Sequence, residues 1–143
     1  ESELPQELKA AFKQGNILQD ILMSQFITGR TGNNILLSSL ALAEQRGIKG
    51  LIYTHPLGFH GHGAGPTIGL WDQQTAIRGR GDYKLYKDTA HSIELSVTET
   101  VQGWQHPVNI MLEEDAFFDG ETTRFLSGRQ TMPWLFPRQQ NRD

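Results

Sequence analysis

The stretch Ser92-Ile93-Glu94-Leu95-Ser96-Val97-Thr98, followed by Val108-Asn109-Ile110-Met111-Leu112-Glu113-Glu114-Asp115, decides how this chain folds. In each segment apolar and polar residues alternate, and side chains on a strand alternate between its two faces. Ile93, Leu95 and Val97 therefore share one face, as do Ile110 and Leu112 in the second segment. Between them Gln102-Gly103-Trp104-Gln105, closed by His106-Pro107, reads as a hairpin loop. Matching the apolar faces pairs Val97 with Ile110 and Leu95 with Leu112, because a one-residue slip would turn one set into water. That register sets Glu94 directly opposite Glu113. Two facing carboxylates repel by up to about 1 kcal/mol or raise one another's pKa unless a cation lies between them. The pair is either two solvated glutamates on an exposed face, or a metal site or shared-proton acid/base pair.

Outward from the hairpin, the strands run from Leu85 to Val101 and from Val108 to Phe118, with a shorter one over Ile48 to Tyr53. The N-terminal third reads as two helices. Leu8, Ala11, Phe12, Leu18, Ile21, Leu22 and Phe26 recur at helical spacing behind Pro5. Thr31 or Asn33 caps a second helix carrying Ile35, Leu36, Leu40 and Ala43, which Gly47 stops. Two helices followed by strands make the fold class α+β.

The 143 residues carry 13 Lys and Arg against 16 Asp and Glu, a net charge of −3, with the basic residues scattered. Nucleic acid is excluded as a partner, since phosphate binding needs a clustered positive field. No apolar run approaches the roughly 20 residues that span a bilayer, so no membrane partner is expected. Without Cys there is no disulfide, thiolate nucleophile or Cys-based zinc site. The absence of Cys suits cytoplasm and periplasm equally. The length predicts a single domain over 1–143.

Three of the five His fall within Thr54-His55-Pro56-Leu57-Gly58-Phe59-His60-Gly61-His62-Gly63-Ala64-Gly65-Pro66. Glycine lets a ligand approach the backbone, and a His-x-His pair on a strand would place both rings on one face. Set beside the glutamate pair, these imidazoles make a nitrogen and oxygen ligand set without sulfur, suited to Mn, Co, Fe or Zn in a catalytic site. Gly61-x-Gly63-x-Gly65 is a poor nucleotide loop, because no Lys-Ser/Thr follows it. Arg80-Gly81-Asp82 reads as a loop between strands. Trp71, Trp104 and Trp134 read as core or interface packing.

These residues resemble the C-terminal half of the M24 metallopeptidases, the family of Xaa-Pro aminopeptidases, prolidases and methionine aminopeptidases with the pita-bread fold. The resemblance rests on the His-Gly-rich tract, on Ser92-Ile93-Glu94 where the family has Thr-Ile-Glu, and on Leu112-Glu113-Glu114-Asp115 where it has an Arg-Ile-Glu-Asp type motif. It covers nearly the whole chain. It implies half of a pita-bread fold, with two N-terminal helices on a mostly antiparallel curved sheet. It further implies two divalent metal ions held by Asp, Asp, His, Glu and Glu, of which this chain supplies His60 or His62, Glu94 and Glu113. His60 is preferred because it keeps the leading His and Gly of the motif. Glu94 then doubles as general acid/base, and His55 or His62 hydrogen-bonds the substrate or its oxyanion. The resemblance implies a peptide substrate, a metallo-aminopeptidase activity of the full-length protein, and a chain inactive alone because both Asp ligands lie upstream of Glu1. The expected partners are a second copy or the missing N-terminal half. Leu70-Trp71-Asp72 stands where the family has His-Glu or His-Asp, and Leu95-Ser96 replaces its Pro-Gly. These departures point to altered substrate choice or to a catalytically silent module that binds a peptide or a partner protein.

Overall fold

The structure, a computed structural model, describes residues 4–136. Helix α1 spans Gln6–Ser24 behind Pro5, and α2 spans Gly32–Gln45. Thr31 is the residue that caps α2, its side chain accepting the Asn34 N–H. Five strands follow: β1 Gly50–Ile52, β2 His55–Pro56, β3 Thr89–Glu99, β4 Val108–Phe118 and β5 Thr123–Phe125. The sheet order is β1-β3-β4-β5, with β2 also paired to β3, and every pairing is antiparallel. The result is the α+β architecture the sequence implies, two helices packed on an antiparallel sheet.

The β3–β4 register is the one the alternation requires: Val97 faces Ile110, Leu95 faces Leu112 and Glu94 faces Glu113. One face of β3 turns Ile93, Leu95 and Val97 into a core with Leu18, Ile21 and Leu22 of α1 and Ile35 and Leu36 of α2. The other face carries the polar residues. Helix α2 comes so close to the segment after the histidine tract that a Cβ on Gly32 would lie 2.1 Å from the Thr67 carbonyl oxygen.

Three local readings are corrected. The third strand starts at Thr89 rather than Leu85, because Leu85 exchanges backbone hydrogen bonds with Gly29 and Arg30 in the α1–α2 connection. Asp88 then turns the chain into the sheet with a φ of 61°. His60-Gly61-His62 is a tight turn rather than a strand, the two histidines bridging each other across Gly61, whose φ is 92°. Trp71, Trp104 and Trp134 are all exposed, which removes core packing from their reading and leaves interface packing.

Candidate active site

The polar face of the sheet gathers the candidate residues in rows. Glu94 lies opposite Glu113, and Ser92 lies opposite both His55 and Asp115. On the other side of Glu94 the Tyr53 N–H donates to the Glu94 carbonyl at 3.0 Å. Tyr53, Glu94 and Glu113 thus form one row across three neighbouring strand segments, with His55 displaced by two residues onto the same face.

Thr54 fixes the backbone on which this row depends. β1 and β2 are two halves of one partner for β3, interrupted where Thr54 turns away to pair with Ile68. Its hydroxyl bridges the gap: it accepts the Glu94 N–H at 3.0 Å and donates to the Glu94 carbonyl at 3.1 Å. Thr54 is fully buried, so its hydroxyl needs those partners and Glu94 keeps its ladder position.

His55 makes the shortest contact of the cluster, with Nε2 2.8 Å from Glu94 Oε1 and Nδ1 2.9 Å from the Pro56 carbonyl oxygen. A carbonyl and an ionised carboxylate are both acceptors only. Both contacts therefore hold only if His55 carries a proton on each nitrogen, or if Glu94 carries one itself. The His62 ring stands edge-on to His55 at 3.7 Å between centroids. His60 is exposed, with its ring against Phe59, and does not line the cavity that His55, His62 and Glu94 line. Glu113 is exposed and accepts a hydrogen bond from the Ser92 hydroxyl at 3.3 Å.

Two openings meet at this face. A cavity of about 620 Å³ is bounded by His55, His62, Glu94, Trp71, Arg80 and Tyr53 among others. A second opening of about 320 Å³ lies over Glu94, Glu113 and Met111. Tyr53 and Glu94 belong to both. Burial first, and then the Glu94 charge, hold the Tyr53 phenol above its ordinary range, with Ser96 pulling the other way and Glu113 adding to the rise. On the opposite face His91 is fully buried with neither ring nitrogen hydrogen-bonded, and burial, followed by the charge of His55, lowers it to about 4.

The structure thus brings together His55, His62 and Glu94, sets Glu113 beside them, and leaves His60 outside. Tyr53 and Thr54 were missed by the sequence reading. Tyr53 had an available signal, since it lies two residues before His55 at the end of a strand and so shares its face. Thr54 had none, because no pattern announces a side chain that replaces a backbone rung.

The donor chemistry fits a dication, with two facing carboxylates and imidazole nitrogen nearby. The ligands are not enclosed: among the described residues no three His, Asp or Glu side chains converge on one point as a metal would require.

No protein-family model matches the sequence. No curated protein matches it either. Two solved structures do resemble it in fold. One is an X-Pro aminopeptidase from Thermotoga maritima, with a TM-score of 0.65 at 19% identity over 91% of this chain and 34% of that one. The other is a dipeptidase from Pyrococcus horikoshii, with a TM-score of 0.61 at 20% identity over 90% of this chain and 33% of that one. This chain spans about a third of the length of each, and over that third it shares the fold of these peptidases.

Proposed function

We propose that this chain is the C-terminal part of a metal-dependent aminopeptidase catalytic domain acting on Xaa-Pro peptides, and that alone it is inert. The observation that carries the reading is the Glu94–Glu113 pair, set face to face beside His55 and His62 at the edge of a peptide-sized cavity. The shared fold of an X-Pro aminopeptidase and a dipeptidase supports it.

Glu94 and Glu113 are the residues that would hold divalent ions such as Mn, Co, Fe or Zn, with His55 the imidazole nearest to Glu94 and His62 edge-on to His55 behind it. His60 serves only after its glycine-flanked turn rearranges. Two such ions, when bound, acidify a water and polarise the scissile carbonyl. The rest falls to the chain's own groups. Glu94 would accept at Oε1 the proton given up by the attacking water and return it to the leaving amine. His55 already presents Nε2 to that oxygen, and on release from Glu94 it donates to the carbonyl oxygen of the substrate. The cavity opens to solvent, and the exposed Arg80 among its lining residues offers a cation to a peptide carboxylate.

Inertness follows from ligand number. Two dications about 3.5 to 4 Å apart need more fixed anions than Glu94 and Glu113 provide. Further ligands would have to come from another segment or chain, which is then the partner expected on this face. A second reading, a catalytically silent peptide-binding module, is favoured by Trp71 standing where an imidazole is needed.

Calorimetric titration with Mn²⁺ or Co²⁺ alongside an assay on Xaa-Pro dipeptides tests the proposal. One weak site and no turnover are expected. Tight two-site binding with turnover by the 143-residue chain would overturn the ligand assignment, and peptide binding that metal leaves unchanged favours the silent module.

A further inference from the structure

The polar face has acceptors in excess. Glu94, Glu113 and Asp115 bring carboxylates to it, and both ring nitrogens of His55 are already engaged. A peptide carbonyl bound there needs a donor, and the indole at Trp71 is 74% exposed on the cavity rim. Tyr53 sits at the junction. It shares a row with Glu94 and Glu113, is half-buried, and with Glu94 lines both the large cavity and the opening over the glutamate pair. Its backbone is held by the Glu94 carbonyl, and the adjoining Thr54 hydroxyl locks the same rung, so its place relative to the pair is set by the sheet.

We propose that Tyr53 is a further catalytic residue, whose phenol O–H donates a hydrogen bond to the carbonyl oxygen of a peptide seated over Glu94 and Glu113 and strengthens that bond as the carbon becomes tetrahedral and the oxygen anionic. The inference rests on the peptidase reading above. A phenol suits the role because it is neutral at physiological pH and donates without losing its proton. A donor fixed where charge develops stabilises the transition state more than the ground state.

Two probes separate the states: an Xaa-Pro dipeptide, and its phosphinic analogue, which is tetrahedral at the position of the scissile carbonyl. Calorimetry on the metal-free chain compares wild type with Tyr53→Phe, and with Tyr86→Phe, an exposed phenol outside this cavity, as control. Tyr53→Phe is expected to weaken the analogue by roughly tenfold or more while changing dipeptide affinity by less than about twofold. Tyr86→Phe is expected to change neither. A second measurement needs no variant: in wild type labelled with ¹³Cζ-tyrosine, the Tyr53 resonance shifts with the analogue and much less with the dipeptide. Equal affinity of wild type and Tyr53→Phe for the analogue, or a Tyr53 resonance that ignores it, overturns the Tyr53 role and leaves the peptidase reading standing. If wild type binds neither probe, the Tyr53 role is overturned, while the peptidase reading, which holds the chain alone inert, is decided by the metal titration and the dipeptide assay.

Discussion

His91 and His55 belong to neighbouring strand segments, yet they occupy opposite chemical worlds. His55 holds two acceptors at its ring nitrogens, whereas His91 packs its ring edge-on to Phe26 at 5.1 Å with neither nitrogen bonded. Charging His91 in that setting costs solvation that nothing returns, which is why it titrates near 4. The unfolded chain takes up the proton first as pH drops, so stability is complete above about 6.5 and is lost progressively down to about 4. The loss from this one group is on the order of 3 kcal/mol. His91→Phe is expected to flatten that part of the profile, read as thermal midpoints between pH 7 and pH 4, roughly the interval separating the two states of the imidazole. Parallel profiles for the two proteins would mean that His91 is solvated or partnered in solution. At this scale the sequence was half readable. Glu94 and Glu113 announced themselves through a period of two, but the tract from Gly58 to Gly65 has no period, so nothing ordered His60 against His62. The turn at Gly61 keeps His62 beside His55 and sends His60 outward.

Between elements, the β3–β4 hairpin was legible because each apolar position had one place to go. Its polar face records a cost of that register. Facing carboxylates repel, an effect that His55 at Glu94 Oε1 offsets only on one side, and Glu113→Gln is expected to stabilise the metal-free chain by at most about 1 kcal/mol in urea unfolding. The same substitution is expected to abolish any stabilisation by Mn²⁺, because one of the two anionic donors is gone. Destabilisation by Glu113→Gln without metal would show that the carboxylate holds the hairpin through Ser92 instead. The helix side makes a separate demand. Gly32 meets the Thr67 carbonyl oxygen, a backbone atom that cannot swing aside, so Gly32→Ala is expected to cost roughly 1–3 kcal/mol. Since the segment beyond Thr67 forms the cavity wall up to Trp71, the same variant should loosen that wall, and faster amide exchange over residues 67–71 is the measurement that checks it. The strand boundary at Thr89 was not legible. Leu85 has the apolar character of a strand residue and is buried in the core, but it gives its backbone bonds to the α1–α2 connection, a tertiary choice that local pattern cannot express.

For the molecule as a whole, the order of helices and strands was legible and the fate of the sheet's second face was not. One face is closed by α1 and α2, while the other leaves Met111 69% and Leu51 40% exposed in the row that contains Ser96, beside Tyr53 and the glutamate pair. Side-chain alternation makes such a face polar enough to stand in water, yet these residues sit where a covering layer would bury them, and the peptidases that share the fold are about three times as long as this chain. Exposed apolar surface on a sheet favours association when its cover is missing. The chain alone is therefore expected to self-associate through this face, with a sedimentation coefficient that rises with concentration over the micromolar range. Leu51→Glu with Met111→Glu should hold it monomeric, because the added charges would meet Glu94 and Glu113 of the facing copy as well as each other. Adding Mn²⁺ should strengthen self-association in wild type if the carboxylates of two copies share ions. A wild-type chain that stays monomeric at every concentration tested would show that the face is content in water, and that no covering layer is needed to complete it.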